Sequence, residues 1–126
     1  MAPRQPTMTT QHLLPHERLD VFHVAIELNR LVATICLPRG QAELRDQLRR
    51  AVSSIALNIG EGASKAGPDG RRYFTIARGS CGEAAATLRV LLAIGAISES
   101  TYKQGRALCG RIYAMLTRLC GHRRPA

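Results

Sequence analysis

At 126 residues the chain is sized for one hydrophobic core, which argues against a second domain of ordinary size. Its residues are 45% apolar but only 4% aromatic, with no Trp, so the core must be built from Leu, Ile, Val and Ala, which favours an all-α fold over a β-sandwich or barrel. The formal charge is +9, and the only lysines among 18 basic residues are Lys65 and Lys103, so the surface is rich in the Arg fork that matches phosphate.

Residues 1–15 carry three prolines and little apolar content, and they are expected to form a flexible N-terminal tail. This segment lacks the apolar run of a signal peptide. No stretch approaches the run of about 18 apolar residues that a membrane span needs, so a cytoplasmic protein with no membrane contact is expected. The bundle domain is expected over residues 16–121. Val21, Val24, Ala25, Leu28, Leu31, Val32 and Ile35 recur at three- and four-residue steps, the signature of a helix burying one stripe, which Pro38 and Gly40 stop.

A second helix is predicted from Leu44, Leu48, Ala51, Val52, Ile55 and Ile59, with Arg45 and Arg49 on its other side. It is followed by EGASKAGPDG, whose glycines and proline read as a loop. A third helix follows Asp69 and Gly70, lined by Tyr73, Phe74, Ala77, Ser80, Cys81, Ala84, Leu88 and Leu91, and stopped by Gly95. Ser98 is the expected N-cap of a fourth, with Leu108, Cys109, Ile112, Met115, Leu116 and Leu119 inward; Gly121 ends it before a basic tail, residues 122–126. Four such helices with short connections imply an antiparallel up-down-up-down bundle.

Within LRRAVSSIALNIGEG, Asn58 falls on the apolar arc and Glu61 near its edge; on the third helix Ser80 and Glu83 occupy matching places. A buried amide without partners costs about 1–3 kcal/mol, so a polar network of Asn58, Glu61, Arg78, Ser80 and Glu83 is expected to join the two helices and fix their register. Gly60 and Gly62 would allow the backbones to approach. The cysteines at 36, 81, 109 and 120 show no metal-ligand spacing and are expected to be reduced, buried apolar residues.

The segments RRAVSSIALNIGEG and YFTIARGSCGE together resemble the paired signature of the four-helix bundle family first noticed as open reading frames in intervening sequences of bacterial 23S ribosomal RNA. That signature reads R-R-A-x-S-I-x-x-N-I-A-E-G and then F-x-x-x-A-x-G-S-x-x-E, and the likeness spans about residues 19 to 119. The residues carried over are Arg49, Arg50, Ser54, Asn58, Glu61 and Gly62, then Phe74, Ala77, Gly79, Ser80 and Glu83. Gly60 departs from the family's Ala and is expected to loosen that helix end. The resemblance implies a left-handed bundle assembled as a ring-like homopentamer. It also implies a distant kinship with the accessory variability proteins of diversity-generating retroelements, which bind a reverse transcriptase and its template RNA.

The leading expectation is a non-enzymatic, oligomeric nucleic-acid-binding protein, with structured RNA as partner. Lys103, Arg106, Arg111 and Arg118 fall within an arc of roughly 140° opposite the apolar stripe of the fourth helix. Arg123 and Arg124 extend it, and Arg45, Arg49, Arg71 and Arg72 add further patches. A ring would repeat each patch. The alternative is a protein-interaction scaffold or accessory factor for a reverse transcriptase or other mobile-element protein. No catalytic residue, metal or cofactor is expected. No Glu-x-x-His pair, G-x-G-x-x-G or P-loop motif occurs, Gly79-Ser80-Cys81-Gly82 lacks the preceding strand of a nucleophile elbow, and His16 and His23 read as surface residues.

Overall fold

A computed structural model describes residues 12–121. A 3-10 turn at Pro15–Arg18 leads into four helices: α1 Asp20–Ala33, α2 Ala42–Ala63, α3 Gly67–Ala93 and α4 Glu99–Leu119. The fold is all-α, with no strand among the described residues. Most of the expected N-terminal tail, and the basic tail 122–126 with Arg123 and Arg124, lie outside them. Leu14 N–H donates to Glu17 Oε1 at 3.0 Å.

Each helix forms because its sequence presents one apolar stripe, and the stripes meet in a single core. α2 packs on α1 and α3, and α4 packs on α3 and α1, so the four close around a centre. Leu28, Leu48, Ile55, Ile59, Leu88, Leu91, Ile112 and Leu116 are almost wholly excluded from solvent there. Burial of each such side chain is worth about 1.5–3 kcal/mol, which outweighs the weak intrinsic stability of any one helix.

The helix ends follow from local chemistry. α3 stops at Gly95, at φ 73°, with Gly95 N–H donating to Leu92 O and Ala96 N–H to Leu91 O. This paired closure satisfies carbonyls that the helix would leave open. Ser98 then caps α4, its Oγ accepting from Thr101 N–H at 3.1 Å. The expected loop EGASKAGPDG is mostly helical instead: α2 runs through Gly60 and Gly62 to Ala63, and α3 already starts at Gly67. Pro68 is compatible because a first-turn residue needs no intrahelical N–H bond.

The close approach lies between Gly62 and Gly70, not at Gly60. A Cβ on Gly70 would stand 2.5 Å from Lys65 O and 2.8 Å from Gly62 O, and one on Gly62 would stand 2.8 Å from the Phe74 ring. A Cβ on Gly60 would meet nothing within 4 Å, and α2 continues through it without a break. The cysteines also differ from expectation. Cys81 and Cys109 are buried, but Cys120 is half-buried and Cys36 is exposed in the α1–α2 connection, where no core surrounds it.

The polar link between α2 and α3 is smaller than expected and centred on Ser54. Asn58 is half-buried; its Nδ2 donates to Ser54 O at 2.9 Å and to Ser54 Oγ at 3.1 Å. Ser54 Oγ in turn meets Ser80 Oγ of α3 at 2.9 Å. Glu61, Glu83 and Arg78 stand outside this set. Glu61 is exposed and pairs with Lys65 one turn on, Glu83 accepts from Gln47, and Arg78 turns the other way, toward α4. The carbonyl and the hydroxyl of Ser54 take both donations of the amide nitrogen, so no charge is drawn in. A second cross-link escaped the sequence: Asn29 of α1 donates to Val52 O of α2 at 2.9 Å.

Two stability measurements follow from this geometry. Gly70→Ala is expected to cost about 1–3 kcal/mol in urea unfolding because backbone oxygens cannot yield to the new methyl, whereas Gly60→Ala gains about 0.5–1 kcal/mol of helix propensity. Equal effects at the two sites would refute the assigned contact. Asn58→Asp replaces a donor with a carboxylate facing two oxygens and should cost about 1–3 kcal/mol at neutral pH. Those contacts raise the carboxyl pKa in the folded state, so the loss should shrink as pH falls through it; an unchanged urea midpoint at both pH values would count against the link.

Candidate nucleic-acid interface

The basic residues that helical periodicity groups on one arc of α4 are divided by the structure between two grooves. Arg111 and Arg118 face α1, where they border a cavity of about 440 Å³ shared with Asp20, His23 and Glu27. Two carboxylates in that groove offset the two guanidinium charges and disfavour phosphate. Lys103 reaches back to Glu99 at 4.0 Å, at the start of α4. Arg106 lies on the opposite flank, bordering the groove between α3 and α4.

The other predicted arginines are similarly dispersed. Arg49 borders a groove with Asn29 and Val32 of α1, and Arg45, on the same helix, is half-buried with Nε 3.5 Å from Asp46 Oδ1. Arg72 pairs with Asp69 at 3.5 Å and lies against the Tyr73 ring, 5.2 Å from its centroid, with Lys65 Nζ 5.6 Å from the same ring. Arg71 turns toward the end of α4: a Cβ at Gly121 would stand 3.4 Å from its Cδ.

A row of arginines runs along α3 on the side that Arg78 turns toward α4. Arg71, Arg78 and Arg89 are seven and eleven residues apart, steps that return to the same helix face within about 20°. Arg78 fixes the direction of that face, since its Nη1 donates to Thr117 Oγ1 of α4 at 3.4 Å and its guanidinium lies 5.3 Å from the Tyr113 ring centroid. Arg106 supplies the facing charge from α4. The row on α3 is about 27 Å long at 1.5 Å per residue.

Among the described residues, none of these four arginines is in an ion pair. The nearby carboxylates of α3 lie elsewhere, Asp69 on Arg72 and Glu83 against α2. Gly82 and Gly110 keep the groove between the rows open. Tyr113, 45% exposed and held by Arg78, gives it one aromatic face. Arg78 and Arg89 are the positions that the sequence reading leaves out of the basic patches: Arg78 falls near the apolar edge of α3, and Arg89 has no charged residue three or four positions away.

Among the described residues, no three His, Cys, Asp or Glu side chains gather as metal ligands. No helix among them is long and apolar enough to cross a membrane.

Comparison with known proteins agrees with the fold. A crystal structure at 1.70 Å of a protein with unknown function from the S23 ribosomal protein family, from Bacteroides thetaiotaomicron VPI-5482, superposes with a TM-score of 0.71. It is 20% identical, and the match covers 81% of this chain and 96% of that one, so the likeness is one of fold. No curated protein matches the chain. The family described as 23S rRNA-intervening sequence protein matches over residues 17–118, which takes in all of α1, α2 and α3 and nearly all of α4, together with both sequence signatures. The chain therefore belongs to the 23S rRNA-intervening sequence protein family.

Proposed function

We propose that this protein is a non-enzymatic, cytoplasmic RNA-binding bundle that holds the phosphate backbone of structured RNA along the α3–α4 groove. The single observation behind this reading is the row Arg71, Arg78 and Arg89 near Arg106, with no ion-paired carboxylate among the described residues, in a chain of net charge +9. The family's description, which refers to ribosomal RNA, supports it. Guanidinium groups at this spacing contact phosphates and position the nucleic acid without reading its sequence, while Tyr113 offers a stacking face for one unpaired base.

The assembly belongs to the same reading: antiparallel, left-handed bundles in a homopentameric ring, each repeating the basic groove so that weak phosphate contacts add. Exposed apolar residues support self-association on the other flank of α3. Ile76 and Val90 are 46% and 45% exposed and stand seven residues to either side of Glu83, whose bond to Gln47 marks the α2 side. Leu57 of α2, next to Asn58 in the chain, is 71% exposed as well. A ring needs head-to-tail contacts, so this patch would dock on a different surface of the next copy.

Two experiments test the reading. RNA affinity should fall steeply with salt. Arg78→Gln and Arg89→Gln are each expected to reduce the slope of log affinity against log salt by about 0.7–0.9, whereas Arg111→Gln and Arg118→Gln, beside Asp20 and Glu27, change it little. A flat salt response, or equal loss from both groups, would refute the groove assignment. Light scattering coupled to size exclusion should show a defined oligomer that Leu57→Glu with Ile76→Glu reduces to smaller species while each chain stays folded. An oligomer that never carries RNA would instead favour the scaffold role, with a reverse transcriptase or another mobile-element protein as partner.

A further inference from the structure

Beneath the α3–α4 groove two thiols face each other. Cys81 of α3 and Cys109 of α4 are 1% and 2% exposed, and Cys81 Sγ donates to Cys109 O at 3.2 Å. Both border a cavity of about 300 Å³ that opens onto the groove, with Arg106 and Tyr113 at its rim. The opening exists because each cysteine is followed by glycine. A Cβ on Gly82 would meet nothing within 4 Å, and one on Gly110 would meet only Arg106 Nη1, at 2.8 Å. A flexible, positively charged side chain, Arg106, thus lies over Gly110 beside that opening.

The pair is chemically unequal. The Cys109 thiol is lowered chiefly by the neighbouring Cys81 thiol, against the cost of burial and with the Arg106 charge adding to the lowering. The Cys81 thiol is pushed up by the same contact and by its burial. A thiolate beside a guanidinium is the arrangement that makes a cysteine nucleophilic, and a second thiol in contact is what resolves its oxidised form.

We propose that Cys109 is an oxidation site for small hydroperoxides and that Cys81 resolves it, closing a reversible disulfide between α3 and α4. The Cys109 thiolate attacks the terminal peroxide oxygen and the O–O bond breaks. Sulfur is oxidised by two electrons to sulfenic acid, and the alkoxide takes a proton and leaves as the alcohol. Cys81 sulfur then attacks the sulfenic sulfur; the S–S bond forms, the S–O bond breaks, and the departing hydroxide leaves with the Cys81 proton as water. In sum, two thiols and one hydroperoxide give one disulfide, one alcohol and one water. A thiol reductant reverses the change.

The test uses the full chain with Cys36→Ser and Cys120→Ser, which remove the exposed and half-buried thiols. Hydrogen peroxide should consume both remaining thiols. It should link the Cys81 and Cys109 peptides within one chain, and dithiothreitol should restore the thiols. Adding Cys81→Ala should leave a Cys109 sulfenic acid that a dimedone-type reagent traps, and Arg106→Gln, a surface change that spares the core, should slow oxidation several-fold in either background. Retention of both thiols at a peroxide dose that oxidises Cys36 in the unaltered chain would overturn the proposal. So would a disulfide between chains, a sulfenic acid on Cys81 in place of Cys109, or an oxidation rate unaffected by Arg106→Gln.

Discussion

At Gly70 the first turn of α3 rests on the last turns of α2 with backbone against backbone, and a single methyl group there would fall 2.5 Å from a carbonyl oxygen. Much of the bundle depends on that contact. It lets α2 turn into α3 across residues 64–66, brings Phe74 over Gly62, and sets the helices close enough for Ser54 and Ser80 to share a hydrogen bond further along. At the opposite end of α3 the chain reverses through Gly95 and Ser98, where backbone and side-chain bonds hold the turn. α3 is therefore fixed at both ends, one by contact and one by capping.

Most of the fold was legible in the sequence because it rests on periodicity. The stripes Val21 to Val32, Leu48 to Ile59, Phe74 to Leu91 and Cys109 to Leu116 became the buried faces, and Ser98 and Gly95 cap and stop their helices. The segment from Glu61 to Gly70 was misread because glycine and proline usually break helices, and local rules cannot see that two glycines are needed for contact with another helix. Asn58 stands out in the sequence as a polar residue on an apolar arc, and of its expected partners Glu61, Arg78, Ser80 and Glu83 only Ser80 joins the link. A hydroxyl one turn back, on Ser54, satisfies the amide with less desolvation than a carboxylate or guanidinium would need.

The basic surface was harder to read, because it belongs to a groove and not to a helix. A helical wheel groups Arg106 with Arg111 and Arg118 correctly by angle, yet the edges of that arc look toward different neighbours, and Asp20 and Glu27 of α1 change the meaning of one edge. Arg78 and Arg89 gain significance only once α4 lies beside them. The relation of sequence to charge is thus weaker than its relation to burial: the apolar stripes point to one centre, whereas each charged side chain acquires its character from whichever helix it borders.

The row Ile76, Glu83 and Val90 along the outer flank of α3 is spaced by sevens on a helix of 3.6 residues per turn. Each step moves the row about 20° around the axis, so it winds slowly along the helix in place of running straight. A straight helix laid on it follows the row only by crossing α3 obliquely. Any neighbour using this flank is consequently set at a tilt, and a flat layer of parallel bundles does not fit it.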